Sequence, residues 1–137
     1  MSRINKLLNK KKISIITCYD ATFSNLLERY KCDAALVGDS LGIVINGHEN
    51  TRKVSMNEMI YHTKAVRLGS ASLPIISDMP LLALRTKDDA LKNAKALINA
   101  GADMLKIEGG TSVLPIIRHL SENNIMICAH IGYIPQT

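Results

Sequence analysis

A chain of 137 residues, 47% hydrophobic and 21% charged, has the size and composition of one globular domain of the soluble kind. Its net charge of +5 comes from 17 basic and 12 acidic residues, and the excess lies in the first twelve positions (Arg3, Lys6, Lys10, Lys11 and Lys12), where there is no acid. No second basic stripe and only 4% aromatic residues argue against nucleic-acid binding, and no apolar run approaches the ~18 residues of a membrane span or the pattern of a secretory leader.

Within residues 1–12, Ile4, Leu7 and Leu8 have helical spacing, which predicts a short helix with a solvated basic face. "ISIITC" (13–18) is β-branched and predicts a strand, with a helix over "ATFSNLLERY" (21–30). "AALVG" (34–38) is the second strand, followed by a Gly-rich loop (41–54) and a helix over 56–69 closed by Gly69. "PIIS" (74–77) precedes a helix over 86–101 that starts at Thr86 with acids in its first turn. "MLKI" (104–107) leads to a helix over 112–124, and "IMICA" (125–129) is the last strand. Cys18 and Cys128 sit in strand-like runs as small hydrophobes, and three cysteines without close pairing suggest a reducing, cytoplasmic setting.

Five strands separated mostly by helices predict parallel pairing through right-handed crossovers in a single α/β domain over 1–137. An open doubly wound sheet and part of a (β/α)₈ barrel both satisfy the pattern. The first strand and helix are not joined by a Gly-rich phosphate loop, which counts against dinucleotide-binding versions of the open sheet.

Each predicted strand runs into an ionisable residue: Asp20, Asp39, Asp78, Glu108 and His130. Parallel α/β folds gather these ends on one face, where ligands bind. Asp20 directly precedes a helix and is equally well read as its cap. Asp39 and Asp78 are not followed at once by a helix, and glutamate is a poor turn former. Lys106 and Glu108 are two apart on one strand and share a face. Three carboxylates and an ammonium on one rim suit an anionic substrate and a hard divalent cation, Mg²⁺ rather than Zn²⁺. His130 is either a further polar contact or a satisfied core histidine. His48 lines a substrate path or is solvated in its loop, His62 belongs to packing or surface, and His119 to a helix surface.

At "LVGDSLG", "GHENT", "YHTKAVRLG", "SDMP", "MLKIEGG" and "AHIGYIPQ" the sequence strongly resembles the 3-methyl-2-oxobutanoate (ketopantoate) hydroxymethyltransferase family, with the motifs in order from about residue 13 to the last. The resemblance implies a (β/α)₈ TIM barrel that uses Mg²⁺ and 5,10-methylenetetrahydrofolate to convert 3-methyl-2-oxobutanoate to 2-dehydropantoate in pantothenate biosynthesis. The implied route is a metal-stabilised enolate, in a homo-oligomer, often a decamer. Carried over by motif, Asp39, Asp78 and Glu108 are metal ligands, and Asp39, Ser40, Asp78, Lys106 and His130 contact the substrate. Lys53 stands where members usually have proline. A complete barrel of this kind takes roughly 250 residues, so the implied part is an N-terminal half, with the family's general-base glutamate beyond Thr137. The 137-residue chain is therefore expected to be inactive alone. Another Mg²⁺-dependent barrel acting on C–C bonds of 2-oxoacids, related to isocitrate lyase, and a fragment retaining only an assembly surface are the alternatives. Products formed with two ketoacids separate the first, and an open frame past Thr137 the second.

Overall fold

The computed structural model describes residues 3–132 and residue 136. Its elements run α1 (Arg3–Leu8), β1 (Ile15–Thr17), α2 (Ala21–Arg29), β2 (Ala34–Val37), α3 (Leu41–Val44), α4 (Met56–Gly69), β3 (Ile75–Asp78), α5 (Lys87–Ala100), β4 (Met104–Glu108), α6 (Leu114–Glu122) and β5 (Ile127–His130). The five strands form one sheet in the order β1-β2-β3-β4-β5, every pair parallel. A doubly wound sheet reverses strand order at a switch point. This one never reverses, and α2 packs on α4, α4 on α5 and α5 on α6. The chain is therefore a five-strand sector of an α/β barrel.

Period-two alternation sorts the strand residues into two faces. Ala35, Val37, Ile75, Leu105 and Ile107 join the core shared with the helices. Ala34, Leu36, Ile76, Met104 and Cys128 face the opposite, interior side, where Ile4 and Leu7 of α1 pack against them. The N-terminal helix is thus a plug under the strands' starting ends, with Leu8 turned to solvent. Arg3 of α1 reaches Asp103, just before β4, at 3.0 Å; Asp103 also accepts from Arg67 at the end of α4 and from the Ile75 amide.

Several boundaries differ from expectation. The 41–54 stretch contains α3 and a 3₁₀ turn at Thr51–Lys53, because Leu41 is buried and Gly42 lets Val54 approach; a Cβ on Gly42 would lie 2.5 Å from the Val54 side chain. Lys53 is exposed in that turn. Gly69 does not stop α4 by a left-handed twist. Its bare Cα lets α4 abut the start of α2, where a Cβ would come within 2.1 Å of the Ala21 carbonyl. At its other end α4 is held by a reciprocal cap between Ser55 and Glu58. α5 does begin at a Thr86 cap and ends at Gly101, whose φ is 115°. Ahead of β5, Asn124 has a φ of 61° and the Ile125 amide bonds back to Leu120, so Ile125 completes the helix end, and the ladder to β4 begins where the Met126 carbonyl accepts from the Leu105 amide at 2.9 Å. Tyr133, Ile134 and Pro135 of the "AHIGYIPQ" motif lie outside the described residues.

β1 and β5 are the sheet's outer strands, and Ile15 and Ile16 on β1 are 47% and 48% exposed. The three cysteines are free. Among the described residues no helix is long and apolar enough to cross a membrane.

Candidate active site

The interior face ends, at the strands' C-terminal side, in charge. Two residues beyond Ile76 and Met104 come Asp78 and Lys106, which are register partners, and Glu108 pairs in register with His130. Lys106 Nζ donates to Asp78 Oδ1 at 2.8 Å and to Glu108 Oε1 at 2.9 Å. His130 Nδ1 lies 2.8 Å from the same Glu108 oxygen. Asp39, two residues past β2, offers its amide to Asp78 Oδ2 at 3.1 Å, and its own Oδ2 accepts from Gln136 at 2.6 Å. Gly38 makes room here, since a Cβ on it would sit 2.8 Å from Ser40 Oγ.

The structure therefore brings Asp39, Ser40, Asp78, Lys106, Glu108 and His130 to one end of the sheet. Asp20 does not join them: it caps α2, accepting from the Phe23 amide at 2.9 Å. His62 packs edge-on against Tyr19 and Tyr61 and also bonds the Tyr19 carbonyl. His48 is half-buried with an unpartnered Nδ1. His119 lies on α6 as expected but is half-buried there, with its Nε2 buried and without a hydrogen-bond partner.

Burial sets the electrostatics. Asp39, Asp78 and Glu108 are only 3%, 3% and 5% exposed, so three carboxylates face one ammonium in a dry setting. Burial pushes Asp78 up to about 6 despite Lys106 beside it, and pushes Asp39 up as well. Lys106 moves the other way in effect: burial disfavours its charge, yet Asp78 and Glu108 together hold its pKa above the usual lysine value. One cation shared by several anions gains from each, while each anion receives only part of it.

A test follows from Asp78. Its carboxyl binds a proton more tightly in the folded chain than in the unfolded one, so folding is favoured at low pH and that advantage is lost as pH rises from 3.8 to about 6. The shift corresponds to about 3 kcal/mol. In buffer without divalent cations, the stability of the wild type relative to Asp78→Asn should fall by that amount across this window, measured by urea unfolding. A flat difference would show that Asp78 is not strained by burial.

The donors fit a divalent cation in charge and type. They are all oxygen, they leave an excess of negative charge over Lys106, and Glu108 Oε2 is buried without a partner. The gathering is incomplete as it stands: among the described residues no three His, Cys, Asp or Glu side chains are close enough together to hold a metal. Asp39 and Asp78 form one group, and Lys106 links it to Glu108.

Sequence reasoning missed Tyr19 and Gln136. Tyr19 follows β1 next to Asp20, and its phenol lies 2.7 Å from Ser40 Oγ; the strand-end pattern drew attention to the acid instead. Gln136, buried at 3% exposure, bridges Asp39 and the Met79 carbonyl. Its only signal was its place in the "AHIGYIPQ" motif.

A parallel sheet in barrel order with buried acids and a lysine at its C-terminal rim defines the class: a sector of an α/β barrel that carries a charged group on the face where such barrels bind ligands. The model of the ketopantoate hydroxymethyltransferase family matches residues 1–137, and the chain belongs to that family. It is 49% identical over 127 residues to 3-methyl-2-oxobutanoate hydroxymethyltransferase of Wigglesworthia glossinidia brevipalpis, covering 93% of this chain and 48% of the relative. The chain spans about half the length of the curated relatives it matches. Among solved structures, 2,3-dimethylmalate lyase of the PEP mutase/isocitrate lyase superfamily superposes with a TM-score of 0.72 at 14% identity, covering 94% of this chain and 53% of that one. A phosphonopyruvate hydrolase solved with oxalate and Mg++ gives a TM-score of 0.68 at 13% identity, covering 79% and 39%. These last two likenesses show the fold alone.

Proposed function

We propose that this chain forms the 2-oxoacid-binding part of a hydroxymethyltransferase centre, which transfers a one-carbon unit from 5,10-methylenetetrahydrofolate to 3-methyl-2-oxobutanoate to give 2-dehydropantoate. The observation that carries the reading is the buried Asp39, Asp78, Glu108 and Lys106 group at the sheet's C-terminal end. An ammonium has three donors; Lys106 spends two on Asp78 and Glu108, and the third is available to the substrate carboxylate. Ser40, beside Asp39, offers a hydroxyl to the same substrate, and His130 borders it across Glu108. Asp39 and Asp78, with Glu108, are the residues that would hold Mg²⁺. When bound, that ion would polarise the keto group as a Lewis acid and stabilise the negative charge that develops on its oxygen. The three carboxylates leave the group net negative over Lys106, and all three are almost wholly buried. Assembly as a homo-oligomer and a cytoplasmic location, which the free thiols suit, belong to the same reading.

Calorimetric titration of the chain with 3-methyl-2-oxobutanoate in the presence of Mg²⁺ tests it. Binding is expected, and Lys106→Met should weaken it about 10-fold or more, the worth of one hydrogen bond between charged groups. Affinity for methylenetetrahydrofolate should not follow. Undiminished ketoacid binding by Lys106→Met, with lowered thermal stability only, would assign the lysine to structure.

A further inference from the structure

Ser40 stands where a helix-capping serine would stand, at the residue before α3, yet its hydroxyl makes no cap hydrogen bond. Its backbone is helical, with φ −54° and ψ −14°, which turns the side chain away from the α3 amides. The hydroxyl instead meets the Tyr19 phenol at 2.7 Å. Tyr19 itself is fixed from behind: its carbonyl accepts from His62 Nδ1 of α4 at 2.7 Å, and the two rings meet edge to face with centroids 6.2 Å apart at 80°. His62 is braced in turn by Tyr61, with centroids 5.2 Å apart at 88°.

We propose that Tyr19 is a positioning residue for the 2-oxoacid: it donates its phenolic proton to Ser40 Oγ and so directs the serine's own proton towards the substrate. The direction follows from acidity. A phenol, with a pKa near 10, is a stronger donor than an aliphatic hydroxyl, and the serine oxygen is the better acceptor. A serine that accepts from Tyr19 has its O–H left for a substrate oxygen, whereas a free serine rotor loses entropy when the ligand fixes it. α4 therefore reaches the site without touching the ligand, through His62, the Tyr19 backbone, the phenol and Ser40. The inference rests on the proposed role of Ser40 at the ketoacid.

The experiment titrates the wild-type chain, Tyr19→Phe, Ser40→Ala and the double variant with 3-methyl-2-oxobutanoate and Mg²⁺, after circular dichroism has confirmed folding. Tyr19→Phe keeps the ring and its contact with His62 and should weaken binding about five- to tenfold, in keeping with one hydrogen bond. In the Ser40→Ala background the same change should have no further effect, since the phenol acts only through that hydroxyl. Additive losses would mean a general structural role and overturn the inference, as would unchanged binding by Tyr19→Phe while the wild type binds. Absence of binding by the wild type overturns the functional reading itself and this inference with it. Should Tyr19→Phe not fold, 3-fluorotyrosine incorporation supplies a more acidic phenol of nearly the same shape. Tighter ketoacid binding then supports the donor role, and unchanged or weaker binding removes it.

Discussion

Asp78→Ala should abolish Mg²⁺-dependent binding of 3-methyl-2-oxobutanoate, a loss of more than about 100-fold given that even residues supporting metal ligands typically contribute 10- to 100-fold. Asp78 is the hinge of the charged group. Its Oδ1 accepts from Lys106 and its Oδ2 from the Asp39 amide, so one carboxylate orients both the ammonium on β4 and the acid beyond β2. Alanine removes a negative charge from a site whose excess charge is what recommends a divalent cation, and it also releases Asp39 from its backbone tether. Lys106 keeps Glu108 as a partner, so the variant avoids a wholly uncompensated buried cation and should fold. Asp39→Ala should lose binding in the same direction. Calorimetric titrations that remain unchanged in both variants would sink the assignment of these acids to the metal.

The 137-residue chain should leave the C3 proton of 3-methyl-2-oxobutanoate in place. Three of the candidate bases among the described site residues share an oxygen with another group, Asp78 and Glu108 with the Lys106 ammonium and Asp39 with Gln136, which leaves His130, its Nδ1 on Glu108, as the group from which a substitute base would have to come. General-base catalysis contributes ~10²–10⁴-fold in rate, and a carboxylate held by an ammonium is a poor competitor for a carbon-bound proton. Incubation in D₂O with Mg²⁺, followed by NMR of the C3 position, reads the step directly. Exchange at the rate of a full-length family member would reveal a substitute base within the chain and refute the expectation. Silence that is broken when the remaining barrel sequence of a relative is added as a separate polypeptide would support it.

Much of the site was legible because its residues obey the strand's period of two. Lys106 and Glu108, two apart, had to share a face, and the sheet places Asp78 and His130 in register with them. The alternation of elements alone did not choose between open sheet and barrel, because strand order is a long-range property; the motif resemblance implied the barrel, and five strands that pair in chain order bear it out. Local chemistry left Asp20 open, since a strand end and a helix cap coincide there in sequence, and the bond to the Phe23 amide decides for the cap. The turn at 41–54 hid a helix because Gly42 reads as a breaker, while its real service is to let Val54 pack against α3. Tyr19 and Gln136 escaped because they act through partners 21 and 97 positions away along the chain.

The N-terminal plug has a consequence for the order in which the molecule assembles. Strands that pair only with their predecessors can be laid down one at a time as the polypeptide emerges from the ribosome, each closing a modest loop. α1 is made before the strands, yet its place beneath the sheet exists only when Ile76 and Met104 are in position, and its Arg3 must wait for Asp103, 100 residues later. A segment made ahead of all five strands therefore docks only after four of them are in place. Until β4 arrives, Ile4 and Leu7 have no finished surface to cover, and the basic residues interspersed with them keep that waiting segment hydrated and apart from its neighbours.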